Sequence, residues 1–149
     1  MTQTATRLDT VRQVVVVASM LIAIAGGVVG SGAFGGTPIA QAAGGALSAD
    51  ATPIAPAGPA FSIWSVIYAG LVAYAVWQLL PGQKASERQR QLGYLVAASL
   101  ILNAAWILSV QAGVVWLSVV VIVALLVVLA VAFRRCLATR PQNWVEAVV

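Results

Sequence analysis

Four runs of about twenty consecutive, mostly apolar residues dominate this chain, and its charges stay out of them. The runs cover about 14–34, 60–80, 92–110 and 114–133, the fourth helix being expected over about 114–134. Roughly 20 apolar residues in a helix cross the ~30 Å hydrocarbon core of a bilayer. Of 149 residues, 61% are apolar and 8% charged, against about 45–50% and about 25% in soluble domains. A soluble fold of this length would leave much of that apolar area in water, because small domains keep a large fraction of their surface exposed. Lipid removes the conflict. Backbone polar groups in lipid are satisfied only within helices or closed barrels, and these runs lack the strict alternation of barrel strands. The expected fold class is therefore all-α: a polytopic transmembrane bundle of about four helices, with residues 1–149 forming one transmembrane domain.

The twelve charged residues lie at the ends of the runs or between them. Arg7 and Arg12 precede the first run, Lys84, Arg88 and Arg90 lie between the second and third, and Arg134, Arg135 and Arg140 follow the fourth. Four crossings bring those three regions to one side. The positive-inside rule then places both termini and the 81–91 loop in the cytoplasm, and the Gly-, Ala- and Pro-rich loop 35–59, whose sole charge is Asp50, on the other side. A missed or spurious helix would destroy this segregation. The turn Gln111-Ala112-Gly113 is so tight that the third and fourth helices are expected to be antiparallel neighbours. Arg7 and Arg12 before an apolar run, with Ala40-Gln41-Ala42 downstream, also resemble a secretory signal. The run is long for a signal core and Ala40 lies well beyond it, so retention is the expectation.

The formal charge of +4 does not point to nucleic acid, because basic residues at span ends anchor helices and set orientation. The chain has no histidine and a single cysteine, Cys136, so neither an intramolecular disulfide nor a Cys-rich zinc site is expected. Cys136 follows Arg134 and Arg135 at a membrane edge and reads as an inert interfacial thiol, with lipidation as the alternative. An ionisable group inside a span usually marks an ion or proton pathway, and none falls within the apolar runs. Asp9, Asp50, Glu87 and Glu146 are expected outside the helices, far apart in sequence, so general acid–base catalysis lacks its usual groups. No base stands beside a Ser or Cys. An enzyme is not the expectation, and neither cofactor nor metal is implied.

Polar and aromatic side chains within the runs are the remaining candidates. Asn103 lies mid-run, and an unpaired amide facing lipid would cost several kcal/mol, so it should face another helix or a cavity. Either it forms a helix–helix hydrogen bond or it orients a ligand, with Trp106 and Ser99 on the same face. In the second run, Phe61, Trp64, Tyr68 and Leu71 form a stripe that could pack on a neighbour or wall a pocket for a flat apolar ligand. Trp77, Trp116 and Trp144 read as interface anchors. Gly26-Gly27-Val28-Val29-Gly30 has the GxxxG spacing, which suits intramolecular packing first and homodimer contact second. Pro53, Pro56 and Pro59 stiffen the approach to the second helix and suit a lid over the non-cytoplasmic mouth.

These residues resemble the tryptophan-rich sensory protein family, also called the translocator protein or peripheral benzodiazepine receptor family. The resemblance rests on the Pro-rich approach Pro53–Pro59, the Trp64-x-x-x-Tyr68 element and the Leu102-Asn103-x-x-Trp106 element. Ile54 and Ala55 stand where the family's approach usually carries Trp. Membership implies a bundle of five helices, often dimeric, whose pocket takes tetrapyrroles, sterol-like lipids or synthetic aromatic drugs. It implies binding roles for Trp64, Tyr68, Asn103 and Trp106, which Phe61 and Ser99 flank. It does not choose among transport, sensing and porphyrin degradation. The tail Pro141–Val149 reads as the approach to a further segment, so the chain resembles the N-terminal four-helix portion of a longer member. The expected protein is a membrane-embedded binder of a hydrophobic aromatic ligand such as a porphyrin, in the bacterial cytoplasmic (inner) membrane. The alternatives are a structural or assembly subunit with no small-molecule site, and a facilitator of small-amphiphile diffusion.

Overall fold

The structure is a computed structural model that describes residues 4–30, 37–38, 41–45, 48, 50–53 and 62–139. Phe61, Pro56, Pro59, Ala40, Arg140 and the tail 141–149, Trp144 included, lie outside the described residues. Helix α1 spans Arg7–Gly30, α2 Ile63–Trp77, the single turn α3 Pro81–Lys84, α4 Glu87–Gln111 and α5 Val115–Ala138. Helices α1, α4 and α5 have 24, 25 and 24 residues and peak mean hydropathies of 2.2, 1.8 and 3.2, long and apolar enough to cross a bilayer. Each is about 36 Å long at 1.5 Å per residue. The apolar α2 is shorter, at 15 residues.

Helix α4 is the axis of the bundle: α1 packs along one side, α5 along another, and α2 leans on α1. The core joins Val16, Met20 and Ala23 of α1, Tyr74 and Ala75 of α2, and Ala97 and Leu100 of α4. Only 11% of the α5 apolar window is buried, so its other faces are left for lipid. Gly26 and Gly30 are where α1 comes closest to α4. A Cβ on Gly26 would lie 3.1 Å from that of Ala104, and one on Gly30 would overlap Ile107. The GxxxG ridge is thus filled from within the chain.

The turn into α5 follows from Gly113, whose φ of 72° suits a residue without Cβ. The Gly113 amide donates to the Val110 carbonyl at 3.0 Å and that of Val114 to Ser109 at 3.0 Å, the paired bonds of a Schellman motif. The antiparallel α4–α5 hairpin follows. At the same end, the Gln111 amide donates to the Gly30 carbonyl and, at 2.9 Å, to that of Thr37, which ties the end of α1 to α4.

The helices begin ahead of the apolar runs, which corrects one expectation. Asp9, Arg12, Glu87, Arg88 and Arg90 lie inside α1 and α4 rather than outside helices. Apolar runs mark where lipid begins, whereas a helix begins where its first amides are capped. The Asp9 carboxylate accepts the Thr6 amide at 2.9 Å, and the Thr6 hydroxyl oxygen accepts the Asp9 amide at 3.4 Å, a reciprocal capping box. The described basic residues nevertheless gather at one end of the bundle. Arg90 binds Asp9, Arg12 reaches the Lys84 carbonyl, Arg88 donates to Thr139, and Arg135 donates to the Gln91 carbonyl. A buried polar layer accompanies them. Gln13 and Gln78 each donate to the other's carbonyl, at 2.7 and 3.2 Å, and the Tyr74 hydroxyl donates to Gln89 at 2.7 Å.

Candidate ligand site between two helices

At the opposite end, Trp64 at the start of α2 meets α4. Trp64 and Tyr68 stand four residues apart, and so share one face of α2. Asn103 and Trp106, three apart, share one face of α4. The geometry brings Trp64 and Trp106 together: their rings are stacked with centroids 5.9 Å apart and planes 14° from parallel. Tyr68 turns towards α1 and packs over Gly27, where a Cβ would lie 3.0 Å from the phenol oxygen. Its hydroxyl has no hydrogen-bond partner among the described residues. All four are half-buried.

The two smaller polar residues are engaged within their own helix. Asn103 donates its amide to the Ser99 carbonyl at 2.9 Å, and the buried Ser99 donates its hydroxyl to the Val96 carbonyl at 2.8 Å. Back-bonding of this kind satisfies a polar group in lipid without a partner helix. Asn103 therefore makes no interhelical hydrogen bond among the described residues. Of the other aromatics, Trp77 packs on the core and is tilted against Tyr74 at 6.2 Å, and Trp116 is 70% exposed at the start of α5.

The stacked pair presents two indole faces that can stack a planar ring, while the Tyr68 phenol over Gly27 and the Asn103 carboxamide, on the same two helices, carry a hydroxyl and an amide oxygen; none of the four is charged. Two carbon planes in contact lie about 3.5 Å apart, so a ring inserted between two others needs about 7 Å. The 5.9 Å between the Trp64 and Trp106 centroids, an upper bound on the gap between their planes, falls short of that. A flat ligand must either stack on an outer indole face or part the pair. Helix α2 can yield, because its buried residues are Tyr74 and Ala75, both at its far half.

A family model described as TSPO-like protein matches residues 13–148. No curated protein and no solved structure matches the chain.

Proposed function

From the premise that this chain belongs to the TSPO-like protein family, and is an integral membrane protein of that type, we propose that it binds a flat hydrophobic ligand of the tetrapyrrole or sterol-like class, in sensing or transport. The site comprises Trp64, Tyr68, Asn103 and Trp106, with Phe61 and Ser99 flanking them. The stacked Trp64–Trp106 pair supports this reading above all else, since it sets two large π-faces on adjacent helices in the half of α2 that is least buried. Stacking gives affinity for a planar ring, and the Tyr68 hydroxyl supplies a polar anchor. Ser99 acts by holding the α4 backbone, as its hydroxyl is spent on Val96. The basic end of the bundle lies in the cytoplasm of a bacterial cell, with the termini and the 81–91 loop on that side.

The intrahelical bond of Asn103 favours a second reading, a structural or assembly subunit whose aromatics only pack helices. Titration of detergent-solubilised protein with protoporphyrin IX, followed through the Soret band, separates the two. Trp64→Ala combined with Trp106→Ala should weaken binding by about ten-fold or more, since aromatic stacking contributes ~1 kcal/mol per ring. Unchanged affinity in that double variant sinks the site, and absence of any saturable Soret shift favours the assembly subunit.

A further inference from the structure

We propose that the cleft at the charged end of α1 and α4 binds the anionic headgroup of a membrane phospholipid, with Arg12 as the receiving cation. The cleft encloses about 390 Å³ and is lined by Thr6, Leu8, Asp9, Arg12, Arg90 and Tyr94. It holds two guanidinium groups and one carboxylate, and the carboxylate is already spoken for. Arg90 grips Asp9 with both oxygens, Nε to Oδ1 at 2.8 Å and Nη2 to Oδ2 at 2.7 Å. Thr6 donates its amide and its hydroxyl to Oδ2, each at 2.9 Å.

Arg12 is left with an excess of positive charge. Its Nη2 donates to the Lys84 carbonyl at 3.1 Å, and its Nη1 stands 3.5 Å from Asp9 Oδ1. Among the described residues neither Nη1 nor Nε has a hydrogen-bond partner, although Arg12 is 1% exposed. A buried guanidinium without full pairing is strongly unfavourable, and a phosphate oxygen would supply both the missing acceptor and the counter-charge. The position is built for this side chain. Gly93 makes room for its stem, since a Cβ there would come within 2.6 Å of Arg12 Cδ and 2.8 Å of Cγ.

The walls select the occupant. Leu8 is 74% exposed and Tyr94 50% exposed, so apolar and aromatic surface flanks the cation at the level where the charged end meets the apolar runs. An amphiphile with one anionic head beside Arg12 and chains descending past Tyr94 fits both features, with Leu8, one turn nearer the water, at the lip beside the head. Lys84 and the neighbouring arginines draw such lipids from the leaflet. Arg90 lies about 24 Å along α4 from Trp106, so this cleft is separate from the aromatic site and does not rest on it.

Native mass spectrometry of the full chain in a neutral detergent, with phosphatidylglycerol or phosphatidylcholine added, tests the assignment. One phosphatidylglycerol per chain should be retained in preference to phosphatidylcholine, and millimolar inorganic phosphate should not displace it. Arg12→Gln should lower that preference about five-fold. Leu8→Glu, at an exposed lip that leaves the core untouched, should lower it similarly in a protein with an unchanged helical circular-dichroism spectrum. Equal retention of the two lipids, or an unchanged preference in Leu8→Glu, would overturn the proposal. Displacement by inorganic phosphate would overturn the lipid as the source of the anion.

Discussion

The indole of Trp64 lies 5.9 Å from that of Trp106, centroid to centroid, and within 14° of parallel. Helix α2 buries only Tyr74 and Ala75, so this pair is a main tie between its first turns and α4. Stacked aromatic pairs contribute about 0.5–1.5 kcal/mol beyond the area they bury. A double-mutant cycle with Trp64→Ala and Trp106→Ala, read by unfolding in detergent, should give a coupling energy in that range. Any far-ultraviolet exciton couplet of the paired indoles in circular dichroism should vanish in either single Phe variant. Strict additivity in the cycle would show the rings to be independent.

Gly30 sits against Ile107 with no room for a methyl group. Gly30→Ala should therefore destabilise the bundle by about 1–3 kcal/mol, the range for overpacking. Ile107→Ala in the same chain should restore much of the loss by opening space. If the glycine ridge served only a contact between two copies, Gly30→Ala would change the oligomeric state on a sizing column and leave the unfolding midpoint unmoved.

Gly113 has a φ of 72° and open space where a side chain would go, with nothing within 4 Å of a Cβ. Its replacement is a conformational matter and not a packing one. Gly113→Ala should lower stability by about 1–2 kcal/mol, the penalty for an L-residue in the left-handed region. Gly113→Asn should lower it less, because Asn tolerates that region. Equal effects of the two would remove the backbone explanation.

The helical class was legible because lipid imposes a single requirement, an uninterrupted apolar run, that needs no long-range information. The gathering of Arg12, Arg88, Arg90 and Arg135 at one end was legible for the same reason, since the four crossings expected from the apolar runs bring those segments to one side. The α4–α5 hairpin could be read from Ala112-Gly113. The start of α1 at Arg7 was missed although a signal existed: Thr6-Arg7-Leu8-Asp9 has the spacing of a capping box. The partner of Asp9 could not be read, because Arg90 lies 81 residues away and no local pattern encodes which arginine turns inward. At the aromatic site, the shared faces of Trp64 with Tyr68 and of Asn103 with Trp106 follow from helical spacing. That Trp64 stacks on Trp106 while Tyr68 packs over Gly27 depends on how far α2 leans towards α1, which periodicity does not specify. The bond from Asn103 to Ser99 was equally hidden, since a mid-span amide fits an interhelical partner as well as a carbonyl one turn back.

Asp9 carries two duties at once, closing the capping box with Thr6 and holding Arg90 in a two-point grip at 2.8 and 2.7 Å. Removing the cap alone, by Thr6→Ala, should lower stability by about 1 kcal/mol. Asp9→Asn should lower the unfolding midpoint further. It weakens the cap and also leaves Arg12 and Arg90 facing each other across a shared cleft without the carboxylate between them. The part of Arg90 that remains 30% exposed is screened by water, which limits the loss. Raising salt should narrow the gap between Asp9→Asn and the parent chain, as mobile anions replace the missing carboxylate. A midpoint for Asp9→Asn no lower than that of Thr6→Ala would mean that the ion pair adds nothing to the cap.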